Sequence, residues 1–96
     1  MTRDDLSVLL KADLNLFAPD AARETQLTHL LDSAVRLIGR EGVTLTEPYS
    51  IEDGQLILMY ASYLYRKRAT DEGMPRMLRW ALNNRIFGGG GGNAAQ

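Results

Sequence analysis

Acid–base or nucleophilic chemistry in this chain would have to be organised around His29, the only histidine among its 96 residues. A Ser-His-Asp relay needs the imidazole to meet a serine in a sharp, glycine-flanked elbow, and none of Ser7, Ser33, Ser50 or Ser62 has that neighbourhood. A metal site needs His29 to share an ion with further strong ligands, and the chain has neither a second histidine nor a cysteine. Helical spacing sets His29 about 200° around from Leu27, away from the apolar stripe, so it reads as a surface residue. The carboxylates fall at helix starts and on polar faces, where local stability already accounts for them. The glycine run Gly88–Gly92 follows a helical segment instead of opening one and contains no lysine, so it is no phosphate-cradling loop. The expectation is a protein without catalytic residues, cofactor or metal.

What the side chains offer instead is charge and apolar surface. The net charge of −1 divides into −5 over residues 1–65 and +4 over residues 66–96. The basic third carries Arg66, Lys67, Arg68, Arg76, Arg79 and Arg85, with Trp80 among them. Such a cluster suits phosphate contacts or base stacking, and the last two helical segments could form a helix-turn-helix. The acidic overall balance, with a pI near 5.7, argues against a dedicated nucleic-acid binder and for contacts between oppositely charged surfaces. A small helical DNA-binding regulator using the basic C-terminal helices is the alternative reading.

These residues have to be positioned by helices. Thr2 followed by Asp5 resembles a capping box, and Leu6, Leu9, Leu10 and Leu14 repeat at helical spacing, predicting a helix over about 3–14. Asn15 is placed to end it, Pro19 cannot continue it, and Phe17 is expected to plug the core. Asp20 can cap a second helix with the stripe Leu27, Leu30, Leu31, Ala34, Val35 and Ile38, ended by Gly42 in a left-handed conformation with Val43 folding back. Residues 43–46 alternate in polarity too briefly for an isolated strand and read as an extended loop, which could also contact a neighbour's backbone. Ser50 with Asp53 starts a third helix, apolar around most of its circumference from Leu56 to Tyr65, and Arg66 to Arg68 fall in its last turn. Met74, Met77, Leu78, Ala81 and Leu82 form the stripe of a fourth helix after Pro75. The result is an all-α bundle of about four helices, two long and two shorter, over 1–87, with a glycine-rich tail over 88–96 that cannot order itself alone. No apolar run approaches the ~20 residues of a membrane span, and the acidic start at Asp4 and Asp5 reads as cytoplasmic. So apolar a third helix in so small a chain is expected to need a partner surface to cover it.

The segments IEDGQLILMYASYLYRKR at 51–68 and GMPRMLRWALNNR at 73–85, together with Arg40-Glu41-Gly42-Val43, resemble the head-tail connector (adaptor) proteins of tailed bacteriophages. The likeness extends over about 20–87 and is closest over 51–87. It implies a structural subunit of the virion neck, made in the host cytoplasm. Such subunits assemble as a ring of twelve copies beneath the portal protein, joined below by a tail-completion or tail-terminator protein. Non-specific DNA contact in the channel is possible in such a ring, and membranes play no part. The family has no active site to carry over. On that reading Ile57, Ala61, Leu64 and Tyr65 pack against the second helix or a neighbouring subunit. Arg66, Lys67, Arg68, Arg76 and Arg79 face a neighbour or DNA. The tail Arg85, Ile86, Phe87, Gly88, Gly89, Gly90, Gly91, Gly92 and Asn93 docks on the portal. A chain with oppositely charged ends favours heterologous contacts, which close into rings where the rotation allows.

Overall fold

The computed structural model describes residues 1–67 and 73–88, which form four helices and, among those residues, no strand: α1 (Arg3–Asp13), α2 (Ala21–Arg40), α3 (Ile51–Lys67) and α4 (Arg76–Gly88). The protein is all-α. Local chemistry sets most of the boundaries. Thr2 and Asp5 close the expected capping box, the Asp5 N–H donating to Thr2 Oγ1 (3.3 Å) and the Thr2 N–H to Asp5 Oδ2 (3.0 Å). Asp20 accepts from the Arg23 N–H at 2.8 Å to start α2, and Ser50 accepts from the Asp53 N–H at 3.1 Å to start α3. Gly42, at φ 111°, takes the left-handed turn that stops α2, and Val43 returns into the core.

The end of α1 shows why one expectation fails. Asn15 stands at φ 57°, and the N–H groups of Asn15 and Leu16 donate back to Ala12 O (3.2 Å) and Lys11 O (2.8 Å), the two bonds of a Schellman motif. That geometry turns Leu16 inward against the core. Phe17, the next residue, is left 82% exposed and plugs nothing.

α2 and α3 make the most extensive pairing, α1 lies against both, and α4 rests chiefly on α3. Two contacts fix the directions. Arg23 at the start of α2 donates to Tyr65 Oη at the end of α3 (2.6 Å), so these two run antiparallel. Arg85 at the end of α4 reaches Asp53 at the start of α3, so α4 is antiparallel to α3 as well. The start of α1 is tied beside the start of α3 by a reciprocal pair, Met1 N to Tyr49 O and Tyr49 N to Met1 O, each 2.6 Å. Gly54 permits this approach, since a Cβ there would collide with Met1 Sδ.

On α2 the stripe is buried as expected, with Val35 at its half-buried edge. The apolar circumference of α3 is covered by the chain itself. Leu56, Ile57, Leu58, Tyr60, Ala61, Ser62 and Tyr63 are all buried, with α1, α2 and α4 around them. A partner is therefore not required to hide α3, contrary to the expectation from composition. On α4 the inward residues are Leu78 and Leu82, flanked by half-buried Met74, Ala81 and Ile86. Met77, expected in that stripe, faces outward, because a face centred on Leu78 and Leu82 puts position 77 about 120° away. Residues 43–46 form an extended loop, Val43 and Leu45 buried and Thr44 and Thr46 exposed.

Truncating Leu10 or Ile57 to Ala should cost about 2–5 kcal/mol, since both are fully buried and leave a cavity. Phe17→Ala should change stability by less than about 0.5 kcal/mol. Urea denaturation followed by circular dichroism measures both.

Candidate docking face

With its inward side committed to α3, α4 turns Met77, Trp80, Asn84 and Phe87 outward, a 3- and 4-residue spacing that keeps them on one face. Trp80 is 63% exposed and Phe87 80% exposed. Ile51, in the first turn of α3, adds a further exposed apolar side chain beside them. Between the two helices lies an apolar groove of about 540 Å³, lined by Ile51, Leu56, Met59, Trp80 and Ala81 with Glu52 at its rim. Isolated exposed apolar residues are ordinary, but a contiguous set with a groove beneath it marks a contact surface.

Two ion pairs hold this face in place. Arg85 grips Asp53 with Nε to Oδ1 at 2.7 Å and Nη2 to Oδ2 at 3.4 Å. Arg79 grips Glu41 with Nη1 to Oε1 at 3.3 Å and Nη2 to Oε2 at 3.4 Å. Such forked pairs fix orientation as well as distance. The hydrogen bonds to Asp53 raise the Arg85 pKa, against the opposing effect of burial, so its charge is secure at any working pH. The Tyr60 hydroxyl is pushed above its ordinary 10.0 first by burial and then by the Glu41 and Tyr63 charges, with Arg79 opposing. Tyr49 is raised in the same direction, again chiefly by burial.

The sequence-predicted sites are rearranged accordingly. The basic patch is not one surface. Arg79 is turned onto Glu41, Lys67 Nζ sits 5.7 Å from the Tyr63 ring, Arg66 lines a hollow with Asp13 and Met77, and Arg76 is exposed at the start of α4. Arg68 lies outside the described residues. Of the apolar contact set, Ile57 and Ala61 are fully buried within the chain and have no surface to give a neighbour. Leu64 and Tyr65 are half-buried, Tyr65 being held by Arg23 through its hydroxyl and through the guanidinium 5.9 Å from its ring. Of the tail set, Arg85 is an intramolecular partner of Asp53, Ile86 packs on the core, Phe87 is exposed and Gly88 ends α4. Gly89 to Asn93 lie outside the described residues. His29 is exposed on α2, at a shallow depression in which Arg36, Arg40 and Lys67 surround Leu30, Leu37 and Leu64. Among the described residues no group of three or more metal-ligating side chains converges, and no helix is long and apolar enough to cross a membrane.

The outward stripe of α4 is hidden in the sequence pattern because Met77 also fits a 3- and 4-residue spacing with Met74 and Ala81. The spacing of Met77, Trp80 and Phe87 is the signal that could have found it. Comparison with protein-family models, with curated proteins and with solved structures finds no match for this chain.

Asp53→Asn should destabilise the fold by about 1–2 kcal/mol, because Arg85 loses a charge-assisted partner at a half-buried position. Glu41→Gln, at a longer and more exposed pair, should cost less than about 1 kcal/mol. Since the folded-state pKa of Tyr60 is raised, its contribution is complete below pH 10 and is lost as the pH climbs beyond that value. Tyr60→Phe should flatten the alkaline limb of a stability-against-pH curve measured by denaturant titration.

Proposed function

We propose that this chain is a structural, non-catalytic subunit of a head-tail connector ring in a tailed bacteriophage, seated against the portal protein and joined below by a tail-completion protein. The observation that carries the reading is the apolar face of α4 and the start of α3. It remains uncovered on a chain whose core is complete without it, so it is a surface available to other proteins. The resemblance of residues 51–85 to connector proteins supplies the setting. These residues are the ones that build the face, from Ile51 through Trp80 to Arg85.

The alternative, a DNA-binding regulator, loses support from the ion pairs: Arg79 and Arg85 are engaged by Glu41 and Asp53, leaving fewer cations to meet phosphates. A duplex-binding assay separates the two, since a regulator binds DNA with a steep salt dependence and a ring subunit does not.

Mixing the chain with the portal protein of the same phage should yield a symmetric complex, visible by electron microscopy as an added ring of density below the portal. Removing residues 89–96 should weaken the complex without changing helical content, as expected if the tail reaches the portal. Portal particles that never acquire the added layer, at any concentration of the chain, rule the proposal out.

A further inference from the structure

Among the described residues four cations have a carboxylate of their own: Arg3 on Asp32, Lys11 on Glu24, Arg79 on Glu41 and Arg85 on Asp53. Arg36 and Arg40, both exposed on α2, form no ion pair among those residues. With His29 and Ser33 they stand at offsets 0, 4, 7 and 11, one straight edge of the helix. Beside that edge runs a floor of leucines. Leu30 and Leu37, together with Leu64 of α3, form the bottom of an open trough of about 400 Å³. Because α2 and α3 are antiparallel, Lys67, in the last turn of α3, stands at its His29 end. Its Nζ rests 5.7 Å from the Tyr63 ring, a contact that supplies no counter-charge. Among the described residues no carboxylate lines the trough, and the acids flanking Arg36 and Arg40 in sequence, Asp32 and Glu41, are held by Arg3 and Arg79.

Three cations beside a strip of leucines match a ligand that is acidic and apolar at once, and the spacing decides its form. Leu30 and Leu37 are seven residues and about 10 Å apart along α2, the separation of positions i and i+7 on one face of a helix. An extended chain covers that length in about three residues, whose first and last side chains point to opposite faces. The trough follows α2 from His29 to Arg40, about 16 Å or three turns. Leucines seven apart with like charges on the adjoining row are the arrangement by which one helix of a coiled coil selects an oppositely charged partner. Nucleic acid fits less well, since no Phe, Tyr or Trp lines the trough to stack a base, and phosphates gain nothing from leucines.

We infer that this trough docks an acidic amphipathic helix of another protein, about three turns long. Its apolar residues lie on Leu30, Leu37 and Leu64, and its carboxylates meet Arg36, Arg40 and Lys67. The trough shares no lining residue with the α4 groove, so the inference is independent of the reading of the chain as a ring subunit. A contact of three turns is smaller than the roughly 1,200–2,000 Å² of a stable interface, and its charges are exposed, so binding is weak and falls with added salt.

The test titrates the isotope-labelled full chain with a synthetic peptide of three heptads, leucine at the a and d positions and glutamate at e and g, and follows the backbone amides by NMR. The peptide should move the amides of 29–40 and 64–67 and leave those of α4 in place. A second peptide with serine for every leucine, equal in charge, should bind at least about tenfold more weakly. Arg36→Glu combined with Arg40→Glu, both at exposed positions, should keep full helical content and weaken the leucine–glutamate peptide by at least about tenfold. The same variant should bind a leucine–lysine peptide more tightly than the wild type does, an exchange of preference that a loss of structure would not produce. No amide movement at about 1 mM peptide, the weak end of specific binding, overturns the inference, as does movement confined to α4. Equal binding of the serine peptide would reduce the site to charge attraction alone and overturn it as well. Duplex DNA moving the same amides at lower concentration than the peptide would assign the arginine row to phosphates instead.

Discussion

α3 is the constraint on which the molecule turns. Ten residues from Leu56 to Tyr65 carry a single small polar side chain, Ser62, and a helix so uniformly apolar must be enclosed on nearly every side. The other three helices are arranged to do this: α2 antiparallel along one flank, α1 beside Gly54, and α4 along Asp53, Leu56 and Met59. Each of these helices is amphipathic and spends its apolar stripe on α3 and its neighbours. What each presents outward is then what remains, which on α2 is mostly polar and on α1 and α4 mixes charged with apolar side chains.

Charge is deployed in the same inward-then-outward order. The opposite signs of the first two-thirds and last third of the chain suggest, read linearly, two poles meant for other molecules. In three dimensions part of that difference is consumed within the fold, Arg79 on Glu41 and Arg85 on Asp53 fastening the basic helix to acidic neighbours. The residual imbalance is smaller, with exposed carboxylates on α1 and an exposed Arg76 on α4. Electrostatics of this sort orients and selects a partner more than it adds affinity.

The helices were legible because their signals are local: Thr2 with Asp5, Asp20, Ser50, Gly42 and the stripe of α2 all act within a turn or two of chain. Phe17 was misplaced because its direction depends on the Schellman turn at Asn15, a backbone geometry that hydrophobicity does not report. The expected need for a partner over α3 was wrong for a different reason. Composition states how much apolar surface a chain has, but only the packing of α1, α2 and α4 around α3 shows that the chain covers it. Ile57 and Ala61 accordingly belong to the interior, while Trp80, read only as one aromatic among several, stands at the centre of the candidate face.

α4 rests chiefly on α3, held by two buried leucines and by forked ionic clasps to Asp53 of α3 and to Glu41 at the end of α2. Its outward positions can therefore be exchanged for others during evolution with little penalty to folding. A lineage changing its structural neighbours could rewrite Met77, Trp80 and Phe87 and leave Leu78 and Leu82 untouched, so recognition would drift quickly here while the scaffold beneath stayed recognisable by its helix pattern alone.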